Sequence, residues 1–236
     1  MIGNRMPLLV AALTVLSVPV VARAQEAQDP KAHVNAAVQG LKQSQAELAH
    51  YEWVETTIMS YKGEEKSRTQ NRVYYGADGK EQKTPLGPPA EEKKARGVRG
   101  RVAENKTEDI TEFMQKAGAV IGKYVPPDPA RLQQLAGEGK MSSTALDQGK
   151  RVRLDFHDYL NPGDLFSLEF DLANNRILGL HIASYVEKPE DPVDLAVTFG
   201  TLADGKTVYS QAVVLDAKSQ GVTVRTENSG YKRSSP

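Results

Sequence analysis

Histidine and cysteine, which often serve as general bases, nucleophiles and zinc ligands, are scarce or absent in this chain. It has no cysteine and four histidines, His33, His50, His157 and His181. None of them stands in an H-E-x-x-H or H-x-H arrangement, and no thiolate can complete a metal site. Asp155 and His157 share a face of one predicted strand, where a carboxylate–imidazole contact could form. Two such groups do not make a closed site, so we predict no metal and no cofactor.

Serine nucleophiles and phosphate loops also lack their usual sequence context. No serine lies in a G-x-S-x-G turn, and Ser167 and Ser184 fall inside predicted strands. There is no G-x-x-x-x-G-K-[ST] loop. We therefore predict that the protein is not an enzyme. An exported hydrolase that pairs Asp155 with His157 is the least favoured alternative.

The first 24 residues predict export. Arg5 is followed by an apolar run, residues 7–21, and by Ala22-Arg23-Ala24, which together form a signal peptide with an A-x-A cleavage site. The apolar run is about 15 residues, shorter than the ~20 that span a bilayer. We expect a mature periplasmic protein of residues 25–236, one domain and a monomer.

A charged segment interrupts the chain at residues 85–106. Its three prolines and three glycines predict a mobile loop. Its cations could touch anionic lipid head groups as a peripheral membrane contact, at about 1 kcal/mol each, but charge runs more often mark solvated loops. The whole chain balances 30 basic against 30 acidic residues, so no nucleic-acid partner is predicted. The cations are Lys93, Lys94, Arg96, Arg99 and Arg101.

Helical periodicity appears in three segments. Residues 31–49 form the first, Thr107 is a plausible N-cap of the second, and Asp128-Pro129 begins a short third helix that ends near Ala136. Residues 107–136 are the predicted helical lid region. Its apolar stripe is open to two interpretations, a permanent core contact or a movable cover. The stripe consists of Ile110, Phe113, Met114, Ala117, Val120, Ile121 and Tyr124.

The rest of the chain alternates with the period of a strand. Strands are predicted at residues 51–61 and 68–75. In the alternating region after Lys140, further strands are predicted in series from residue 151 to residue 231, with turns at Asn174-Asn175 and Asp204-Gly205. We predict an α+β fold: a curved antiparallel sheet of about nine or ten strands, an incomplete half-barrel with helices on its concave side, because wide twisted sheets curl.

The last 40 or so residues resemble the LolA-like lipoprotein-carrier superfamily, in which strands separated by a D-G turn end in a phrase of the form N-S-x-Y. The resemblance implies an incomplete barrel whose concave apolar surface, covered by helices, holds acyl chains or the lipid anchor of a partner. It is carried by Leu202, Asp204, Gly205, Val224, Asn228, Ser229 and Tyr231.

The predicted function is therefore binding of a lipid or an acylated lipoprotein in an apolar groove. The alternative is an envelope scaffold or sensing module of the same fold, with a protein partner at residues 85–106. Core and groove lining cannot be distinguished in the sequence, and Trp53 is more typical of a structural anchor than of a ligand contact. The candidate groove residues are Trp53, Phe113, Met114, Phe156, Phe166, Leu168, Phe170, Leu178, Leu180, Val197 and Phe199.

Overall fold

The structure is a computed structural model that describes residues 30–87 and 98–234. The predicted signal peptide and the central part of the predicted loop, residues 88–97, lie outside the described residues. The helices are α1 Pro30–Leu48, α2 Val98–Ile121 and α3 Pro129–Gly137. The strands are β1 Tyr51–Tyr61, β2 Glu64–Tyr75, β3 Glu81–Pro85, β4 Met141–Leu146, β5 Arg151–His157, β6 Leu165–Asp171, β7 Arg176–Tyr185, β8 Pro192–Thr201, β9 Val208–Ala217 and β10 Val222–Arg233.

All the described strands belong to one antiparallel sheet of ten strands, in the order β3-β2-β1-β10-β9-β8-β7-β6-β5-β4. Two meanders, β1–β3 and β4–β10, are joined where β1 pairs with β10. The strands β3 and β4 form the two edges and do not pair with each other, so the sheet is open. The predicted α+β class, with an open antiparallel sheet of ten strands and three helices, is confirmed.

The helices pack on one face of the sheet, here called the inner face. Ala117 and Ile121 of α2 and Leu132 and Leu135 of α3 are buried in one cluster with apolar side chains of β5–β8. The spacing of the α2 residues is that of the predicted apolar stripe, because residues three or four apart share one side of a helix. The opposite, outer face carries most of the charged residues of β5–β8.

A buried carboxylate fixes the connection between α2 and α3 to the loop between β5 and β6. Asp164 is 1% exposed and accepts hydrogen bonds from the backbone N–H groups of Tyr159, Leu160 and Asn161, at 2.6, 2.9 and 2.7 Å. The Tyr124 hydroxyl, just beyond α2, donates a fourth bond. The carboxyl end of α2 is therefore tied to the sheet.

Two sequence predictions of secondary structure need correction. The predicted helix start at Thr107 is wrong, because α2 begins at Val98 and takes in residues 98–106 of the predicted loop. The edge strands β3 and β4 were not predicted; almost all of their residues are exposed, so neither shows an apolar alternation. In the described part of the chain, no helix combines the length and apolarity needed to cross a bilayer.

Candidate functional site

The inner face carries a continuous apolar row that passes from the core to the surface. Successive strands place its members directly opposite one another, so that they share one face. Phe156, on β5, is 1% exposed and Leu195, on β8, is 7% exposed, whereas Met59, on β1, is 37% exposed. The row therefore becomes more exposed towards β1. Its members are Phe156, Phe166, Ile182, Leu195, Leu215, Val224 and Met59.

A second row, one pleat away, shows the same trend and then turns polar. It begins with Leu154, Leu168 and Leu180, which are buried, and continues with Val197 and Val213, which are partly buried. The row ends at Thr226 and Thr57, whose hydroxyl oxygens lie 3.2 Å apart.

Four partly buried or exposed side chains of these two rows make up what we call the open inner surface. They are Met59, Val213, Leu215 and Val224. Three of them lie on β9 and β10, which pair with each other, and β10 pairs in turn with β1, so the surface spans three adjacent strands. An apolar patch continuous with the core is a typical binding surface.

The structure distributes the sequence candidates over four environments. Five of them lie inside the core under α2 and α3: Phe156, Phe166, Leu168, Phe170 and Leu180. Four others are partly buried at the margin of that core: Phe113, Met114, Val197 and Phe199. Their role as ligand contacts stays a prediction, and the buried five could be reached only if α2 moved away.

Trp53 lies outside that core cluster, in a second aromatic cluster on β1, β2, β9 and β10. Its ring stacks on Tyr231 at a centroid distance of 5.4 Å and lies 6.0 Å from Tyr75. The indole Nε1–H donates to Asn228 Oδ1 at 3.1 Å, and Tyr231 also contacts Tyr209. These contacts are those of an aromatic anchor that joins the two meanders.

The predicted placement of Leu178 beside Leu180 on the concave face is wrong. A β-bulge in β7 pairs Ile177 with Phe170 and Gly179 with Glu169, which leaves Leu178 as the extra residue. Ile177 enters the core in its place, and Leu178 lines a groove on the outer face. We call this feature the outer groove; its volume is about 450 Å³.

Among the described residues, no hydrogen bond or ion pair joins Asp155 to His157. The Asp155 carboxylate accepts from Ser167 Oγ at 2.6 Å and from Arg153 Nε at 3.0 Å. Ser167 lies opposite His181 across β6 and β7. Its hydroxyl, however, donates to Asp155 and not to His181. Among the described residues, no group of three or more potential ligand side chains is arranged to hold a metal ion.

The open inner surface could not be found from the sequence, although the strands that form it were predicted. Met59, Val213 and Val224 each lie in a segment predicted to be a strand. What places Met59 beside Val224 is the pairing of β1 with β10, strands that lie far apart in the sequence. The alternation within a single strand holds no information about which distant strand lies beside it.

Comparisons with known proteins give only distant likenesses. No family model matches the chain, and no curated protein matches it. The fold is similar to that of the LolA superfamily protein NE2245 from Nitrosomonas europaea, with 9% identity, a TM-score of 0.39, and coverage of 85% of this chain and 94% of that one. MucB in complex with MucA(peri) aligns with 12% identity, a TM-score of 0.20, and coverage of 84% and 100%. Likenesses this distant establish neither a family nor a ligand for this chain.

Proposed function

We propose that this protein is an exported, non-enzymatic binding protein that holds the acyl chain of a lipid or lipoprotein on its open inner surface. The observation that carries the proposal is the rising exposure along the apolar row, from Phe156 at 1% to Met59 at 37%. Apolar side chains that stay uncovered on a face continuous with the core are typical of a binding surface.

The energetics favour an acyl chain as the occupant. Each methylene removed from water contributes about 0.8 kcal/mol, so burial of eight methylenes would contribute about 6 kcal/mol before the cost of ordering the chain. The Thr57 and Thr226 hydroxyls at the end of the second row offer hydrogen bonds to the polar end of such a ligand.

Helix α2 is the proposed movable cover of the buried part of the inner face, beside the open inner surface. Its carboxyl end is fixed through Tyr124 and Asp164, whereas Phe113 and Met114 remain partly buried at the margin of the core. Methionine is flexible and fills irregular spaces, so Met114 could keep good contacts both before and after α2 moves to admit a ligand. Motion about the fixed end would extend the open inner surface towards the buried candidates on β5–β7.

Within the segment 85–106, where a protein partner is the alternative prediction, residues 88–97 lie outside the described residues. The partner, the periplasmic location and the monomeric state stay predictions.

A matched pair of variants on β1 tests the proposal. Met59→Glu places a carboxylate on the open inner surface, where an acyl chain would have to desolvate it. Ile58→Glu places the same group on the outer face, opposite Arg68 and Arg225. Binding of a dansyl-labelled undecanoic acid is measured by fluorescence titration, after circular dichroism has shown that both variants are folded.

The wild type and Ile58→Glu should bind the probe with similar affinity, and Met59→Glu should bind it about tenfold more weakly or worse. If the two variants weaken binding equally, or if the folded wild type does not bind the probe, the acyl chain does not occupy this surface.

A further inference from the structure

Gly179 lies in the middle of β7, where neither its backbone nor its packing requires a glycine. A Cβ atom built at this position would lie 3.4 Å from the Val197 carbonyl oxygen and 3.8 Å from Glu169 Cβ, which are ordinary contacts. Its φ angle is not in the left-handed region. A glycine inside a strand makes the strand less stable than an alanine would. What the missing side chain does achieve is an opening in the outer face.

Gly200, in the same sheet, is by contrast a glycine that the packing does require. A Cβ atom there would lie 2.7 Å from Tyr209 Cζ, a distance that real Cβ atoms do not tolerate. The contrast indicates that Gly179 leaves open a space that is empty of protein. Glycines within strands often mark places where a ligand approaches the backbone closely.

The bulge next to Gly179 supplies the apolar part of the same groove. By inserting Leu178 as an extra residue, it turns this side chain away from the core and into the outer groove. Bulges commonly re-aim a side chain at a functional site. With about 450 Å³, the groove falls within the range of small-molecule sites.

The polar walls of the outer groove carry two arginines, Arg151 and Arg153, and one carboxylate, that of Glu169, which is paired with Arg151. Arg151 uses Nε and Nη1 to bind Asp147 and Glu169, and Arg153 uses Nε to bind Asp155. Within residues 30–87 and 98–234, Nη2 of Arg151 and both Nη atoms of Arg153 have no hydrogen-bond partner. His181 and Thr198 also line the groove. Free guanidinium donors in a forked arrangement suit a carboxylate or a phosphate.

We propose that the outer groove binds a small organic anion, in which a carboxylate or phosphate monoester is attached to a short apolar group. The anionic end lies against Arg151 and Arg153, and the apolar end lies against Leu178, over the space left by Gly179. This site is on the opposite face from the open inner surface, and it does not depend on acyl binding there.

The test compares hexanoate and hexyl phosphate with hexylammonium and hexanol, which share the apolar chain. Binding to the full mature protein is followed by titration of its amide NMR spectrum at low salt, where the Gly179 amide reports on the groove directly. At least one of the two anions should bind saturably with a shift of the Gly179 amide, and the relative affinity of the two tells carboxylate from phosphate. Hexylammonium and hexanol should not move this signal.

Variants separate this site from a general surface effect. Gly179→Val should fill the groove and remove binding, while Arg153→Gln should weaken binding about tenfold or more, because two charge-assisted donors are lost. Arg225→Gln, which removes an outer-face arginine paired with Glu227, and Met59→Glu should leave binding unchanged. The proposal is overturned if neither anion binds, if hexylammonium binds as well, or if folded Gly179→Val and Arg153→Gln bind like the wild type.

Discussion

The substitution Asp164→Asn changes a single atom at the point where the α2–α3 connection is tied to the sheet. Oδ1 of Asp164 accepts from Tyr159 N–H, while Oδ2 accepts from Leu160 N–H, Asn161 N–H and the Tyr124 hydroxyl. Burial, together with the bond to Asp164, raises the pKa of Tyr124, so its hydroxyl stays protonated and donates. All four groups are donors, and only a group that accepts at both oxygens can satisfy them.

An asparagine has one acceptor oxygen where the carboxylate has two. In its better orientation, the amide oxygen takes the three bonds of Oδ2, and the amide NH2 group faces Tyr159 N–H across the present 2.6 Å contact. One buried donor loses its partner, at about 1–3 kcal/mol, and the remaining bonds lose the charge that strengthens them. A total of about 3 kcal/mol lowers the Tm by about 6–12 °C in a chain of this size.

Thermal unfolding followed by circular dichroism measures this loss, and Asp204→Asn is the matched control. Asp204 accepts from the N–H groups of Lys206 and Thr207 at 2.8 and 2.9 Å and from the Thr207 hydroxyl, but its own carboxylate is exposed, so water can replace its bonds. The control should cost less than about 1 kcal/mol. Equal losses in the two variants, or a loss below about 1 kcal/mol for Asp164→Asn, would refute the role given to this buried carboxylate.

Two further predictions follow from close contacts and from turn carboxylates. Gly200→Ala should destabilise the protein by about 1–3 kcal/mol in urea unfolding, because the new methyl group meets the Tyr209 ring; Gly179→Ala should not, and equal effects would contradict the packing argument. Hydrogen bonds from neighbouring donors lower the pKa of Asp158, Asp171 and Asp204 below the usual 3.8. Because each group is more acidic in the folded state, its contribution is present above pH 3.8 and is lost as the pH falls through the folded value. The Tm should therefore fall as the pH is lowered below about 4, and a Tm that stays constant down to about pH 2 would contradict this linkage.

The sequence was informative wherever one side of an element is buried. The stripe of α2 and the alternation of β5–β8 reflect a single covered face, so the helices and central strands could be predicted. The edge strands could not, because Glu81–Pro85 and Met141–Leu146 are exposed on nearly every residue and show no alternation. The start of α2 was missed because Gly97 and Gly100 in a charged run are more typical of a loop than of a helix.

Features that depend on the pairing between strands could not be predicted from the sequence. The bulge in β7 places Ile177 in the core where Leu178 was predicted. Because both side chains are apolar, this shift of one residue leaves no trace in the sequence pattern. Asp164 follows Asn161-Pro162-Gly163, a turn composition that gives no sign that its carboxylate is buried among donors. The resemblance to LolA-like proteins suggested an apolar surface, but only the register between β1 and β10 showed which residues form it.

The most direct test of acyl binding is the lipid content of the protein itself. The mature protein is purified without detergent from its own cell envelope and extracted with organic solvent, and the extract is quantified by mass spectrometry alongside Met59→Glu and Ile58→Glu. We predict near-stoichiometric acyl species with the wild type and Ile58→Glu, and a strong reduction with Met59→Glu. Extracts without lipid, from a folded wild-type protein that also fails to bind the dansyl-labelled fatty acid, would contradict the account.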